Sequence, residues 1–180
     1  MSGPVRAGRP DADLRVLAVC TGNVARSVML GVMLGALAEE RGASWTVRTA
    51  GTHAGEGQSI SARTKNALLT VPALSGRDLR HASRALRAED LSWADLALCV
   101  EADQVRFARM LAPAAAVVQL RELVDAPGAT LHQRLAVLTT REPDTRDDVA
   151  DPAGGDQDAY DRCAADLWDL ARRFADVVCD

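Results

Sequence analysis

The sequence predicts an α/β fold in which a parallel sheet is covered by helices on both faces. Three observations lead there. Short continuous apolar runs such as Leu14–Val19 (LRVLAV) have the pattern of strands buried on both faces. These runs alternate with segments whose apolar residues recur at spacings of three and four. No internal repeat and no linker-like stretch divides the 180 residues, so the elements belong to one three-layer domain with right-handed crossovers.

Each element follows in order. Leu14–Val19 is the first strand, and Ser27–Arg41 is a helix that stops at Gly42. Trp45–Thr49 alternates and reads as a second strand, followed by the glycine-rich loop AGTHAGEGQS. Ser61–Thr70 is a helix with Ser61 as N-cap, and a short helix is expected over Leu86–Leu91. Ala94–Val100 is the third strand, Ala102–Leu111 a helix that stops before Pro113, and Ala115–Leu120 the fourth strand. Ala129–Thr139 is helical, and TREPDTRDDVADPAGGD is a polar loop. The last helix carries Tyr160, Cys163, Leu167, Leu170, Phe174 and Val177 on one face. Residues 1–13 read as a disordered leader, and 14–180 as the single domain.

Composition narrows the function. A net charge of −4 gives no support to a nucleic-acid surface. No apolar run reaches the roughly 18 residues that cross a bilayer, so no membrane role is expected. The segment before Leu14 has no apolar stretch of the secretory kind, which points to the cytoplasm. Cys20, Cys99, Cys163 and Cys179 include no CxxC pair, and the three histidines are scattered. Neither a disulfide framework nor a metal site is expected from that usage.

The chemistry lies in VCTGNVARS. Cys20 ends the first strand, at the carboxyl edge of the sheet where ligands sit in such folds. The loop opens a helix, so its free N–H groups and the helix dipole form an anion site. Gly22 turns without a Cβ, and Asn23 tolerates a left-handed backbone. Arg26 presents a planar fork suited to two phosphate oxygens. In such a positive field a thiol ionises near neutral pH and can attack phosphorus. Ser27 can donate a hydrogen bond to the sulfur. A buried structural cysteine followed by an ordinary turn is the bland alternative.

This stretch resembles the low-molecular-weight protein tyrosine phosphatase signature, V-C-x-G-N-x-C-R-S. The resemblance extends to Asp151-Pro152 in DVADPAGGD, to RTAGTHAG, to RHASRAL and to SWADLALCVEAD. It implies a four-stranded parallel sheet in the order 2-1-3-4. It also implies that Cys20 is the nucleophile, Arg26 the phosphoryl clamp and Asp151 the general acid. Thr21, Gly22, Asn23, Val24, Ala25 and Ser27 would form the substrate-binding loop, with Thr49 and His81 supporting Asn23. The implied reaction is phosphomonoester hydrolysis through a phosphocysteine, with phosphotyrosine in proteins as the leading substrate. Phosphate, sulfate or vanadate would bind as site ligands, and no cofactor or metal is called for.

The sequence departs from that pattern in four places. Ala25 stands where many members carry a second loop cysteine, and Val28 where proline is usual. The mouth lacks the family's aromatic walls, leaving His53 on one side and Ala153 on the other. The segment 121–150 is longer than usual and reads either as surface decoration or as a lid. Two other functions use the same loop. One is an arsenate reductase relying on an external small thiol, and the other is a non-catalytic phosphate-binding relative.

Overall fold

The computed structural model describes residues 13–179; the expected leader lies outside these, apart from Asp13. Four strands form one parallel sheet: β1 (Leu14–Cys20), β2 (Trp45–Gly51), β3 (Leu96–Cys99) and β4 (Val117–Gln119). Their order is β2-β1-β3-β4, as the resemblance implied. Among the described residues the seven α-helices are α1 (Arg26–Arg41), α2 (Ala62–Leu69), α3 (Ala88–Trp93), α4 (Ala102–Leu111), α5 (Leu120–Asp125), α6 (Leu131–Leu138) and α7 (Gln157–Cys179).

Alternation along β1 divides the core. Val16, Ala18 and Cys20 face a cluster built with α1, α2, α5, α6 and α7, while Leu17 and Val19 face a smaller one under α3 and α4. All five are essentially buried, which is why the run reads as continuously apolar. α7 buries Leu167, Leu170 and Phe174 against this larger cluster, each worth roughly 1.5–3 kcal/mol of transfer free energy. Gly31 lets α1 lie close on β2, because a Cβ there would come within 2.6 Å of Thr49 Cγ2. α1 ends where Gly42 turns left-handed (φ 62°), and Ser61 caps α2 by accepting from the Thr64 N–H.

Two expected elements are corrected. The helix expected over Leu86–Leu91 starts at Ala88, because Leu86 donates its N–H to Gly51 O and stays extended beside β2. The fourth strand does not run from Ala115 to Leu120. It ends at Gln119, and Leu120 opens α5, a helix absent from the sequence reading. A buried strand and a buried helix cannot be separated within AVVQL by periodicity alone. The other element ends agree to within a few residues.

Within the long 121–150 segment, Arg134 on α6 donates to Leu123 O and Val124 O of α5. Arg109 of α4 binds both Leu138 O and Val117 O, the first residue of β4. The end of α6 is therefore tied to the start of β4.

Candidate active site

Cys20 is the last residue of β1 and Arg26 the first of α1, so the loop between them joins a strand to a helix N-terminus. Asn23 is its hinge. It is the one non-glycine among the described residues with positive φ, at 51°. Four bonds hold it there. Its amide donates to Ser27 Oγ and to Thr49 Oγ1, both at 2.9 Å. Its Oδ1 accepts from the Arg84 N–H at 3.0 Å, and its backbone oxygen meets His81 Nε2 at 2.7 Å. A carbonyl only accepts, so Nε2 carries the His81 proton. Thr64 Oγ1 adds a further bond, to Val24 O.

These contacts converge on the sulfur. The Asn23 N–H points at Cys20 Sγ at 3.2 Å, and Ser27 Oγ lies 3.0 Å from it. Ser27 Oγ already accepts from Asn23, which leaves its own proton free for the sulfur. The glycine this arrangement demands is Gly51. A Cβ there would stand 2.5 Å from Thr21 O and 2.9 Å from Asn23 N. Gly22, by contrast, has no positive φ, and its Cβ would make only an ordinary 3.6 Å contact with Val24.

Arg26 is buried, and both terminal nitrogens of its guanidinium have partners. It donates to Val149 O at 3.1 Å, meets Glu101 Oε1 at 2.5 Å and Asp151 Oδ2 at 2.7 Å. Burial alone would lower its pKa; hydrogen bonding to Glu101 and the charges of Asp151, Glu101 and Cys20 outweigh that and raise it. Asp151 is nearly half exposed, and its Oδ1 accepts from the Ala153 N–H at 3.0 Å. Glu101 is held in turn: its Oε2 accepts from Gln104 Nε2 at 2.5 Å and from Thr21 Oγ1 at 3.3 Å.

Around the mouth, the His53 N–H binds Thr21 O at 2.9 Å, which fixes the residue to the loop. Its exposed ring packs on Phe107 of α4, with centroids 5.5 Å apart and planes at 50°. The sequence reading left this side bare; an aromatic reaches it from a different element. A cleft of about 210 Å³ between α1 and the edge of β2 is lined by Thr49 and His81 but by neither Cys20, Arg26 nor Asp151.

The sequence-predicted residues fall into two bonded groups at the loop: Cys20, Asn23, Ser27, Thr49 and His81 in one, and Arg26 with Asp151 in the other. Glu101, Gln104, Arg84 and Gly51 were missed. Glu101 follows the third strand at its carboxyl edge, and that position is a usable signal. Of the other thiols, Cys99 belongs to the core on the opposite face from Cys20. Cys163 is buried on α7, and that burial pushes its pKa up to about 12.

A strand-to-helix anion loop with a thiol at its base, an arginine clamp and a nearby carboxylate defines a cysteine-dependent phosphatase. The comparisons with known proteins agree. The sequence profile described as low molecular weight phosphotyrosine protein phosphatase matches residues 15–179. A low molecular weight protein-tyrosine-phosphatase from Streptomyces coelicolor is 33% identical over 159 residues, covering 83% of this chain and 84% of its own. A protein-arginine-phosphatase from Bacillus subtilis is 26% identical over 160 residues, covering 89% and 93%. The crystal structure of a low molecular weight protein tyrosine phosphatase from T. tengcongensis superposes with a TM-score of 0.72 at 29% identity, over 90% of this chain and 97% of that one. The chain belongs to the low molecular weight phosphotyrosine protein phosphatase family.

Proposed function

We propose that this chain dephosphorylates phosphotyrosine in proteins, with Cys20 as nucleophile, Arg26 as phosphoryl clamp and Asp151 as general acid and base. The observation that carries the reading is the arrangement of the loop: Cys20 Sγ lies at its base with Ser27 Oγ at 3.0 Å and the Asn23 N–H at 3.2 Å, while Arg26, which opens α1, is joined to Asp151 at 2.7 Å. The Cys20 thiolate attacks phosphorus opposite the ester oxygen. The S–P bond forms as the P–O bond breaks, and Asp151 gives its proton to the departing oxygen. The loop N–H groups of Thr21 to Ser27 and the Arg26 fork hold the equatorial oxygens as charge develops. Water then attacks the phosphocysteine. Asp151 takes its proton, phosphate leaves, and the thiolate returns with Ser27 donating to it.

The aromatic pair of His53 and Phe107 beside the loop supports an aryl ester, with Ala153 opposite. A phosphoarginine substrate is the second reading. It is favoured by the Glu101 carboxylate, 25% exposed beside Arg26, which suits a guanidinium leaving group. The four cysteines outside any disulfide suit a reducing compartment, so we assign the enzyme to the cytoplasm.

The test is hydrolysis of phosphotyrosine, phosphoserine, phosphothreonine and phosphoarginine peptides side by side, with Cys20→Ser and Asp151→Asn controls. Preference for phosphotyrosine by tenfold or more is expected. Preference for phosphoarginine establishes the second reading. An inert wild type that still binds vanadate leaves a binding protein, or an arsenate reductase to be tried with small thiols.

A further inference from the structure

Asp151 stands on an exposed turn, yet it must meet Arg26 and a leaving oxygen to within a fraction of an ångström. Ala150, Ala153 and Gly154 around it are exposed, and Pro152 is the one buried residue next to it. What holds the segment is upstream. Val149 is buried, donates its N–H to Val100 O at 2.8 Å and accepts from Arg26. One residue earlier, a single oxygen of Asp148 accepts two hydrogen bonds of 2.7 Å, from the Ala102 N–H and from Gln119 Nε2. Ala102 is the first residue of α4 and Gln119 the last of β4. One carboxylate thus joins the acid-bearing segment to two separate elements at the carboxyl edge of the sheet.

Helix capping accounts for only one of the two bonds: the Ala102 N–H is an orphan donor at the start of α4, but the bond from Gln119 Nε2 lies outside that helix. α4 already has its capping interaction, since Gln104 Oε1 accepts from the Val100 and Glu101 N–H groups. The Gln119 amide is fully buried, and its Oε1 has no hydrogen-bond partner; its orientation is set by the bond its nitrogen makes to Asp148. Burial pushes the Asp148 carboxyl pKa up, partly offset by the hydrogen bond from the Ala102 N–H.

We propose that Asp148 is a positioning residue for proton transfer: its clasp on Ala102 and Gln119 sets where Asp151 stands relative to Arg26 and the leaving oxygen. This rests on the reading of Asp151 as general acid. Loss of the clasp lets residues 148–151 drift while the Cys20 loop, which has its own bonds, stays intact.

The experiment measures kcat/KM for phenyl phosphate, a poor leaving group, and p-nitrophenyl phosphate, a good one, together with vanadate affinity. Wild type is compared with Asp148→Ala, Asp148→Asn and Asp151→Asn. Asp148→Ala is expected to lose about 10- to 100-fold on phenyl phosphate and less than about threefold on p-nitrophenyl phosphate, with vanadate affinity unchanged. Asp148→Asn, which keeps an oxygen able to accept both bonds, recovers most of that loss. If Asp148→Ala does not fold, Gln119→Met removes one donor at similar volume and should show a weaker form of the same bias. An equal loss on both substrates, or a loss of vanadate affinity, overturns the proposal. So does wild-type behaviour of Asp148→Ala while Asp151→Asn shows the leaving-group bias. If Asp151→Asn shows no bias either, it is the acid assignment that fails, and the proposal with it.

Discussion

The two sides of the site are built by different means. The phosphate side, Cys20 to Ser27, has a bonded centre of its own, Asn23 to Cys20, Asn23 to Ser27 and Ser27 to Cys20, buttressed from outside by Thr49, His81 and Arg84. Asn23, Arg26 and Ser27 are each 2% exposed or less. The proton-delivering side, Asp148 to Gly155, is more exposed, and its anchors are Val100, Ala102, Gln119 and Arg26, all distant in the chain. One side has internal bonds of its own and is braced by β2 and the segment before α3. The other is correct only if β3, β4 and α1 have already assembled. Damage to the first should remove binding and chemistry together, while damage to the second should spare binding.

The largest expected effect breaks the phosphate side at its centre. Cys20→Ser should lower kcat by at least about 10⁴-fold on every substrate, because no phosphocysteine forms. Thermal stability should stay near wild type, since Ser is smaller only by the sulfur's excess volume. Residual turnover within tenfold of wild type would mean that another group is the nucleophile.

Next comes the direct comparison of the two sides. Arg26→Lys should cost about 10²–10³-fold in kcat and weaken vanadate binding, because a point charge cannot replace a fork that meets Val149, Glu101 and Asp151 at once. Asp151→Asn should cost about 10²–10⁴-fold on poor leaving groups while vanadate affinity stays within a few-fold. If the two variants lose vanadate affinity equally, the division between the sides does not hold.

That division also explains what could be read from the sequence. The strand–loop–helix around Cys20 was legible because its determinants are contiguous: an apolar run, Gly-Asn, Arg-Ser and a helical period. The roles of Thr49 and His81 were legible only through family resemblance, since they reach Asn23 from β2 and from the segment preceding α3. Glu101 and Asp148 stayed hidden among many acids, because what distinguishes them is a neighbour brought by the fold. α5 was lost for a related reason: Val117 and Val118 of β4 and Leu120, Leu123 and Val124 of α5 are buried on the two sides of a boundary that apolarity does not mark. Even the glycine was misjudged. Gly22 lies in the motif, but the position that excludes a Cβ is Gly51, on the neighbouring strand.

Gly51 supplies a gentler break. Gly51→Ala should destabilise the protein by about 1–3 kcal/mol, because the displaced atoms are backbone atoms of Thr21 and Asn23. Vanadate affinity should fall with it. A matched change on the other side, Ala150→Gly at an exposed position, should stay within about 1 kcal/mol in chemical denaturation. Equal effects of the two would show that the acid segment is as tightly packed as the loop.

The smallest effect tests the mouth rather than either side. His53 is pinned to Thr21 through its backbone, and its ring leans on Phe107. A substrate ring entering beside the loop would meet this pair edge or face, an interaction worth about 0.5–1.5 kcal/mol. Phe107→Leu keeps apolar bulk on α4 and removes the ring. KM for a phosphotyrosine peptide should rise by roughly 2- to 10-fold with kcat unchanged, since the ring is bound alike in ground and transition states. Vanadate affinity, which depends on the loop alone, should not move. A phosphoarginine peptide has no aryl group to lose, so its KM should hold. Equal rises for both peptides would assign Phe107 to the general shape of the mouth, and the aromatic contact would no longer distinguish the two substrates.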